Sequence, residues 1–191
     1  MSARLLLATR NAHKVREFER LLPRVELDPL PDDVVTPPES GATYAEKALI
    51  TARAAAPATG RAAIADDSGV EAEALGGRPG VRSARFAGAD AGDGENLAKL
   101  RREVPPGSRL EYVCVIAHVA PAGEETLFYG RCAGTMAAEG AGERGFGYDP
   151  VFVPDGDSRT LAEYTDVEKN AISHRGNAFR ALAPVLRELL H

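Results

Sequence analysis

The stretch AIADDSGVE, residues 63–71, decides how the rest of the chain is interpreted. A short apolar run leads into two adjacent aspartates, Asp66 and Asp67, and then into Ser68 and Gly69. The run predicts a core strand that ends at the aspartates, with the two carboxylates leaving on opposite faces of the strand. Two neighbouring carboxylates repel each other and lose solvation when they are buried, so this pair requires a chemical reason.

The segments before this strand indicate a mixture of strands and helices. ARLLLAT breaks into a polar loop before VREFERLL, whose apolar residues recur at helical spacing, so we predict a strand, a tight loop and a helix. DPLPDDVVTPPESG is rich in proline and predicts a loop. The T-x-x-E pattern at 43–46 is typical of a capping box and predicts a helix through YAEKALITARAAA.

Strand and helix patterns continue after the aspartates. GVEAEAL is compatible with a further strand, and ENLAKLRREV predicts a helix. RLEYVCVIAHVAP and EETLFYGRCAG are long apolar stretches joined by turn residues, which predicts a hairpin.

The last third of the chain adds one short strand and more helix. VFV is the predicted strand, and TLAEY and TDVEKN each carry a capping-box pattern. An amphipathic helix, with a kink expected at Pro184, closes the chain. Because strands and helices mix without strict alternation, we predict one α/β domain over residues 1–191 with a mixed sheet.

Charge and composition limit the classes of function. The 191 residues carry a net charge of −5 and a pI near 5.5, which argues against a generic nucleic-acid surface. No charged and apolar leader opens the chain, and no apolar run approaches the roughly 18 residues that a membrane span requires. We therefore expect a cytoplasmic protein with no nucleic-acid or membrane partner. Cys114 and Cys132 lie in apolar stretches and are expected to be buried thiols.

The loop at residues 9–14 is a candidate anion site. It precedes a predicted helix, so backbone N–H groups and the Lys14 ammonium offer favourable partners for phosphate. The alternative is that Asn11 only caps the helix and that Lys14 is solvated. The loop is not a P-loop, because G-x-x-x-x-G-K-[ST] is absent.

The aspartate pair is a candidate metal site. A hard cation such as Mg²⁺ would relieve both the repulsion and the desolvation, because it prefers carboxylate oxygens and retains water for acid–base work. The alternative is an Asp-Ser-Gly turn held by bonds from side chain to backbone. The D-x-D spacing expected of a haloacid-dehalogenase phosphatase is missing.

Two later segments carry groups that suit a purine base. Phe146 can stack on a base, and Asp149 can accept hydrogen bonds from its edge. Lys169 and residues 173–175 supply donors just before the last helix. The alternatives are an ordinary loop plug for the first segment and a solvated basic turn for the second.

Five segments stand in order along the chain: T-x-N-x-x-K at 9–14, IADDSG at 64–69, GGRPGVRSARFAG at 76–88, GFGYDP at 145–150 and EKNAISHRG at 168–176. Together they resemble the inosine/xanthosine triphosphate pyrophosphatases, the Ham1-like family that acts on non-canonical purine nucleoside triphosphates. The similarity covers nearly the whole chain. Each segment is modest alone, and the five in this order make the assignment specific.

The resemblance implies a magnesium-dependent hydrolase. Such an enzyme would cleave ITP, dITP or XTP between the α- and β-phosphates and release the monophosphate and pyrophosphate, which cleanses the nucleotide pool. The implied fold is an elongated α/β structure, a mixed β-sheet flanked by helices, with two lobes and an active-site cleft between them. A homodimer is implied as well.

The resemblance also implies roles for particular residues. Asp67 matches the general base and a metal ligand, and Glu39 matches the other metal-binding carboxylate. Asp66 would then be an outer partner of the metal on the other face of the strand. The positions that match substrate contacts are Thr9, Arg10, Asn11, Ala12, His13, Lys14, Ser68, Phe146, Gly147, Tyr148, Asp149, Lys169, His174 and Arg175.

Three positions depart from the usual pattern of the family. Arg10 stands where glycine is common, Lys47 where asparagine is usual, and Thr51 where a phosphate-contacting lysine is usual. Positions 47 and 51 are neighbours on one helical face, so Lys47 can deliver its ammonium near the expected place. The alternative is that Arg10 supplies the missing charge.

Two other classes of function are alternatives to the nucleotide hydrolase. The runner-up is a regulatory module that binds purine nucleotides without turning them over. An acyl or carbohydrate hydrolase lacks support, because the chain has no G-x-S-x-G and no obvious nucleophile.

Overall fold

A computed structural model of the chain describes residues 3–23, 25–38 and 40–189, and the side chains of residues 5–186 within those ranges. Six strands build the sheet: β1 (Ala3–Leu7), β2 (Val25–Pro29), β3 (Ala63–Ala72), β4 (Arg109–Val119), β5 (Glu125–Met136) and β6 (Phe152–Pro154). Their order across the sheet is β2-β1-β3-β4-β5-β6. β2 and β3 run parallel to β1, whereas β6 runs antiparallel to β5. The predicted α/β class with a mixed sheet is therefore confirmed.

Within the described ranges, five α-helices accompany the strands. They are α1 (Ala12–Leu21), α2 (Tyr44–Thr59), α3 (Asp93–Glu103), α4 (Asp166–Ile172) and α5 (His174–Leu189). The capping boxes predicted at Thr43 and Thr165 are present at the starts of α2 and α4, and the one at Thr160 opens a short 3₁₀ turn. Pro184 lies inside α5, as predicted.

The aspartate pair does not end its strand. β3 continues to Ala72, so the prediction of a strand end at Asp67, and of a separate strand in GVEAEAL, was wrong. Gly69 gives the physical reason, because a Cβ at this position would collide with the carbonyl oxygen of Gly80 and with Oγ of Ser83. Glycine is present here because another segment passes against the strand, not because the chain turns.

β2 was missed by the sequence reasoning, which assigned Asp28 and Pro29 to a loop. The strand lies at the edge of the sheet and is half exposed, so it shows no apolar alternation. A proline at its last residue is tolerated, because edge strands do not need every backbone donor. Asp28 is held by an ion pair with Arg61.

The predicted hairpin is confirmed. β4 and β5 are neighbours in the sheet, and in the turn between them the N–H of Ala120 donates to the carbonyl of Glu124 at 2.9 Å. Cys114 and Cys132 lie on these strands and are buried, as predicted. Burial raises the pKa of the Cys132 thiol to about 11, so this thiol stays protonated at neutral pH.

The internal contacts divide the chain into two compact units. Unit one takes in the residues up to Asp67, Cys114–Tyr129 and the residues from Ala178 onward. Unit two takes in Ser68–Val113 and Gly130–Asn177.

Unit one buries an apolar cluster on each face of its strands. Alternate residues of β1 and of the position after it belong to different clusters, with Leu5 and Leu7 in one and Leu6 and Ala8 in the other. The first cluster includes Phe18 of α1, and the second includes four alanines of α2. This is the period-two separation that a strand covered on both faces requires.

Unit two has one apolar cluster. Its members include Val70 of β3, Leu100 of α3, Leu110 of β4 and Phe152 of β6, and each of them is at most 2% exposed. In the described part of the chain, no helix combines the length and the apolar character that crossing a membrane requires.

Candidate active site

The first loop is arranged around the cap of α1. Asn11 Oδ1 accepts from the N–H of His13 at 2.9 Å and from that of Lys14 at 3.3 Å, and Thr9 Oγ1 accepts from the N–H of Asn11 at 3.2 Å. Asn11 therefore caps the helix, which was the simpler of the two interpretations of this loop. Asn11, Ala12 and His13 are exposed, so a ligand can still reach this end of α1.

Lys14 is not solvated in the way the simpler interpretation supposed. Its Nζ lies 3.2 Å from Oδ1 of Asp66 and donates to the backbone carbonyl of the same residue at 3.0 Å. The Asp66 carboxylate is fully buried, so the ammonium compensates a charge that would otherwise be costly there. Lys14 therefore ties the start of α1 to β3.

Asp67 lies beside Asp66 but is more accessible to solvent. The two residues offer carboxylate oxygens, which are the donors that Mg²⁺ prefers. Because Asp67 is the more accessible of the two carboxylates, it is the better candidate for a metal ligand. The described residues contain no group of three or more histidine, cysteine and acidic side chains able to hold a metal, and Glu39, the other predicted ligand, lies outside them.

Arg10 is engaged by a neighbouring loop. Its Nη2 lies within hydrogen-bond distance of the carbonyls of Pro31, Asp32 and Val34, at 3.2, 3.4 and 3.2 Å. The guanidinium thus holds residues 31–34 against the first loop. Lys47, the other residue considered for the missing family charge, is buried on α2.

The predicted base-binding residues converge within unit two around a buried carboxylate. Asp149 is 2% exposed, and its Oδ2 accepts from Lys169 Nζ at 2.8 Å and from the N–H of Phe146 at 3.0 Å. Gly145 has φ of +72°, and a Cβ there would collide with this carboxylate. The glycine before Phe146 is therefore required both by the turn and by the position of Asp149.

Phe146 presents its ring to two cations. Lys169 Nζ lies 5.0 Å and the Arg175 guanidinium carbon 5.8 Å from the ring centroid. The ring is half buried, whereas Arg175 is almost fully buried and donates to Ser68 Oγ at 2.9 Å. An aromatic surface beside buried donors suits a flat heteroaromatic ligand that carries acceptor oxygens.

His174 is buried and stacks on a residue that the sequence reasoning missed. The ring centroids of His174 and Tyr112 are 4.4 Å apart, with the planes nearly parallel at 6°. The Tyr112 hydroxyl donates to Asp149 Oδ1 at 3.2 Å. Tyr112 sits in the apolar stretch RLEYVCVIAHV, and the available signal was that a buried tyrosine hydroxyl requires a partner.

Tyr148 and Gly147 have structural anchors in unit two. The buried Tyr148 hydroxyl donates to the carbonyl of Ser83 at 2.6 Å, and the N–H of Gly147 donates to Asp93 Oδ2 at 3.0 Å. Burial, and then the nearby Asp93 carboxylate, raise the pKa of Tyr148 well above its usual value, so its hydroxyl remains a donor. These bonds fix the loop that carries Phe146 and Asp149.

The fold and these side chains define a class of protein. The fold is α/β with a mixed sheet; unit one carries the Asp66–Asp67 pair beside Lys14, and unit two carries a buried carboxylate and buried cations beside an aromatic ring. The model of the Ham1 family matches residues 5–185. The chain belongs to the Ham1 family.

Individual relatives agree with this assignment. A dITP/XTP pyrophosphatase of Frankia alni is 49% identical, with 98% of each chain covered. The solved structure of the Staphylococcus aureus Ham1 protein is 35% identical and superposes with a TM-score of 0.85, covering 97% of this chain and 99% of its own. The crystal structure of a nucleoside-triphosphatase, dITP/XTP pyrophosphatase, from Mycobacterium abscessus is 44% identical, with a TM-score of 0.74 and coverage of 96% and 98%.

Proposed function

We propose that this chain is a nucleoside triphosphate pyrophosphatase that hydrolyses non-canonical purine nucleotides, namely dITP, ITP and XTP. The products are the nucleoside monophosphate and pyrophosphate, so the enzyme removes these nucleotides from the pool. The observation that carries the proposal is the buried cluster of Asp149, Lys169, His174 and Arg175 beside the Phe146 ring, in a chain that belongs to the Ham1 family.

The base would be recognised by Phe146 and the buried donors. Hypoxanthine and xanthine carry an acceptor oxygen at C6, where adenine carries an amino group that donates. Lys169, His174 and Arg175 can each donate to such an oxygen. A site built to bond one group can reject the analogue that lacks it by about 10⁴–10⁵-fold. ATP is therefore expected to be a very poor substrate relative to ITP.

Hydrolysis would depend on Asp67. Water attacks the α-phosphorus, the bond from that atom to the bridging oxygen breaks, and pyrophosphate leaves while Asp67 accepts the proton that the water loses. Lys14, Arg10, Lys47 and the exposed end of α1 are candidate partners of the phosphates. Mg²⁺ held by Asp67 and Glu39 would neutralise phosphate charge and lower the pKa of bound water.

The proposal also covers the domain organisation, location, oligomeric state and partners of the protein. We infer a single domain over residues 1–191 that acts as a cytoplasmic homodimer on small-molecule nucleotides, with no role for nucleic acid or membrane. Light scattering coupled to size exclusion would give the mass of the particle and test the dimer.

The central test is release of pyrophosphate from ITP, dITP, XTP, ATP and GTP, with and without Mg²⁺. We expect release from the first three with Mg²⁺, little release from ATP, and none after chelation with EDTA. Binding of ITP without any pyrophosphate release would instead identify a regulatory nucleotide-binding module. Comparable kcat/KM values for ITP and ATP would contradict the proposed base recognition.

A further inference from the structure

We propose that Tyr112 is a positioning residue that sets base selectivity by fixing both Asp149 and His174. The inference rests on the proposed function, because it assigns these two residues to recognition of the base. Tyr112 belongs to none of the five sequence segments that indicated the family.

The first part of the argument is the hydrogen bond to Asp149. Tyr112 is 6% exposed, and its hydroxyl donates to Oδ1 at 3.2 Å. Burial, and then the Asp149 charge, raise the pKa of Tyr112 well above its usual value. The hydroxyl therefore keeps its proton at neutral pH and remains a donor.

The second part is the distribution of donors over the carboxylate. Lys169 Nζ and the N–H of Phe146 both donate to Oδ2, whereas Tyr112 donates to Oδ1. With donors on both oxygens, the carboxylate plane is fixed in rotation as well as in position. Removal of the tyrosine hydroxyl would leave the plane held from one side only.

The third part is the stack of rings. The Tyr112 ring lies parallel to His174 at 4.4 Å and at a tilt of 34° to Phe152, whose centroid is 4.6 Å away. Phe152 is fully buried, so Tyr112 is held by the apolar cluster of unit two and in turn holds the imidazole. One side chain thus orients an acceptor and a donor of the same predicted site.

The consequence is a specific kinetic signature. Tyr112→Phe keeps the ring contacts and removes only the hydroxyl, so Asp149 loses a donor while His174 keeps its stack. We expect KM for ITP to rise by about tenfold, because a hydrogen bond to a buried charged group is lost. We expect kcat to change little, since the change removes binding that the ground state and transition state share. Selectivity for ITP over ATP, as a ratio of kcat/KM values, should fall by about tenfold.

Unit two offers a matched control. Tyr164 is also 6% exposed, and its hydroxyl donates at 2.6 Å to the carboxylate of Asp157, which is not one of the predicted base-binding residues. Tyr164→Phe therefore also removes a bond from tyrosine to aspartate. We expect it to lower Tm by an amount similar to Tyr112→Phe and to leave KM and selectivity unchanged.

The experiment is steady-state pyrophosphate release from ITP and ATP by the full-length wild type and both variants, with Tm measured in parallel. If Tyr112→Phe does not fold, Tyr112→Leu also lacks the hydroxyl and is measured in its place. Selectivity that is unchanged, or that falls equally in the Tyr164→Phe control, would overturn the inference while the proposed function stands. A wild type that releases no pyrophosphate from ITP would overturn both.

Discussion

Two adjacent aspartates have different surroundings, and this difference explains how one strand can carry both. Asp66 is buried and compensated by the ammonium of Lys14 at 3.2 Å, whereas Asp67 is partly accessible. A general base must be reached by the water from which it takes a proton, and Asp67 is the more accessible of the two carboxylates. The chemistry is therefore expected of Asp67, and Asp66 serves to fasten α1 to β3.

We predict that Asp67→Asn abolishes turnover of ITP without unfolding the protein. Loss of a general base alone costs about 10²–10⁴-fold in rate, and simultaneous loss of a metal ligand should cost more. The measurements are kcat for pyrophosphate release and Tm by circular dichroism. Asp66→Asn is the matched control. It should lower Tm and leave kcat close to that of the wild type. Near wild-type kcat in Asp67→Asn, with loss of turnover in Asp66→Asn, would reverse the two roles.

At single positions, the sequence predicted residues that lie together in the structure, but it did not predict how they pack. Asp149 and Lys169 were predicted as site residues, and they form a buried ion pair at 2.8 Å. Tyr112 was missed because a tyrosine in an apolar strand has the pattern of an ordinary core residue. The reason for a glycine at position 69 was missed, because close approach by residues 80–83 leaves no local mark in the sequence.

At the scale of the elements, α1 and α2 present two candidates for the charge that Thr51 does not supply. Lys47 lies one turn before Thr51 on α2, and Oγ1 of Thr51 donates to the Lys47 carbonyl at 3.4 Å. Arg10, just before α1, is bonded to three loop carbonyls. These bonds favour a structural role for Arg10, whereas Lys47 is a candidate for the phosphates because it lies on the same helix as Thr51 and one turn away from it.

We therefore predict different effects for the two substitutions. Lys47→Ala should raise KM for ITP markedly, and the exchange Lys47→Asn with Thr51→Lys should restore it, because the charge returns to the usual family position. Arg10→Gly should mainly destabilise the fold, by about 1 kcal/mol or roughly 2–4 °C in Tm. Steady-state kinetics and thermal unfolding separate these effects. An unchanged KM in Lys47→Ala, with a large rise in Arg10→Gly, would assign the phosphate role to Arg10.

Most elements could be predicted because their signals are local. The capping boxes at Thr43 and Thr165 and the hairpin turn near Gly123 depend on residues within one turn of each other. β2 could not be predicted, because an exposed edge strand has no apolar alternation and this one ends in Pro29. The length of β3 depends on packing between distant segments, which no local pattern records.

At the scale of the molecule, exposed ionic networks couple stability to pH. Hydrogen bonds from Arg159, and then from Tyr164, lower the pKa of Asp157 well below its usual value. Backbone and side-chain bonds from Thr165, and then one from Arg159, lower the pKa of Glu168. Since the unfolded chain binds protons more readily at these groups, their contribution is full above about pH 4–5 and declines as the pH falls.

We predict that Asp157→Asn lowers Tm at pH 7. The difference in Tm between the variant and the wild type, called the gap below, should become smaller below about pH 4. The reason is that below about pH 4 the Asp157 carboxyl binds a proton more readily in the unfolded wild type than in the folded one, so the stabilisation by the ionised group declines, whereas asparagine does not titrate. Thermal unfolding at pH 7, 5, 4 and 3 provides the measurement. Asp90→Asn, at an exposed aspartate of the same unit, is the control and should show no such gap. A gap that stays constant down to pH 3 would contradict the role of Asp157.

The chain passes from one unit to the other at 67–68, 113–114, 129–130 and 177–178. Each of these points lies inside an element, namely β3, β4, β5 and α5, rather than in a loop. Neither unit is one continuous segment of the chain, since unit one takes three segments and unit two takes two. No single cut in the gene therefore separates one unit from the other. Neither unit can be duplicated, exchanged or expressed alone as one segment, so the two units must be inherited together.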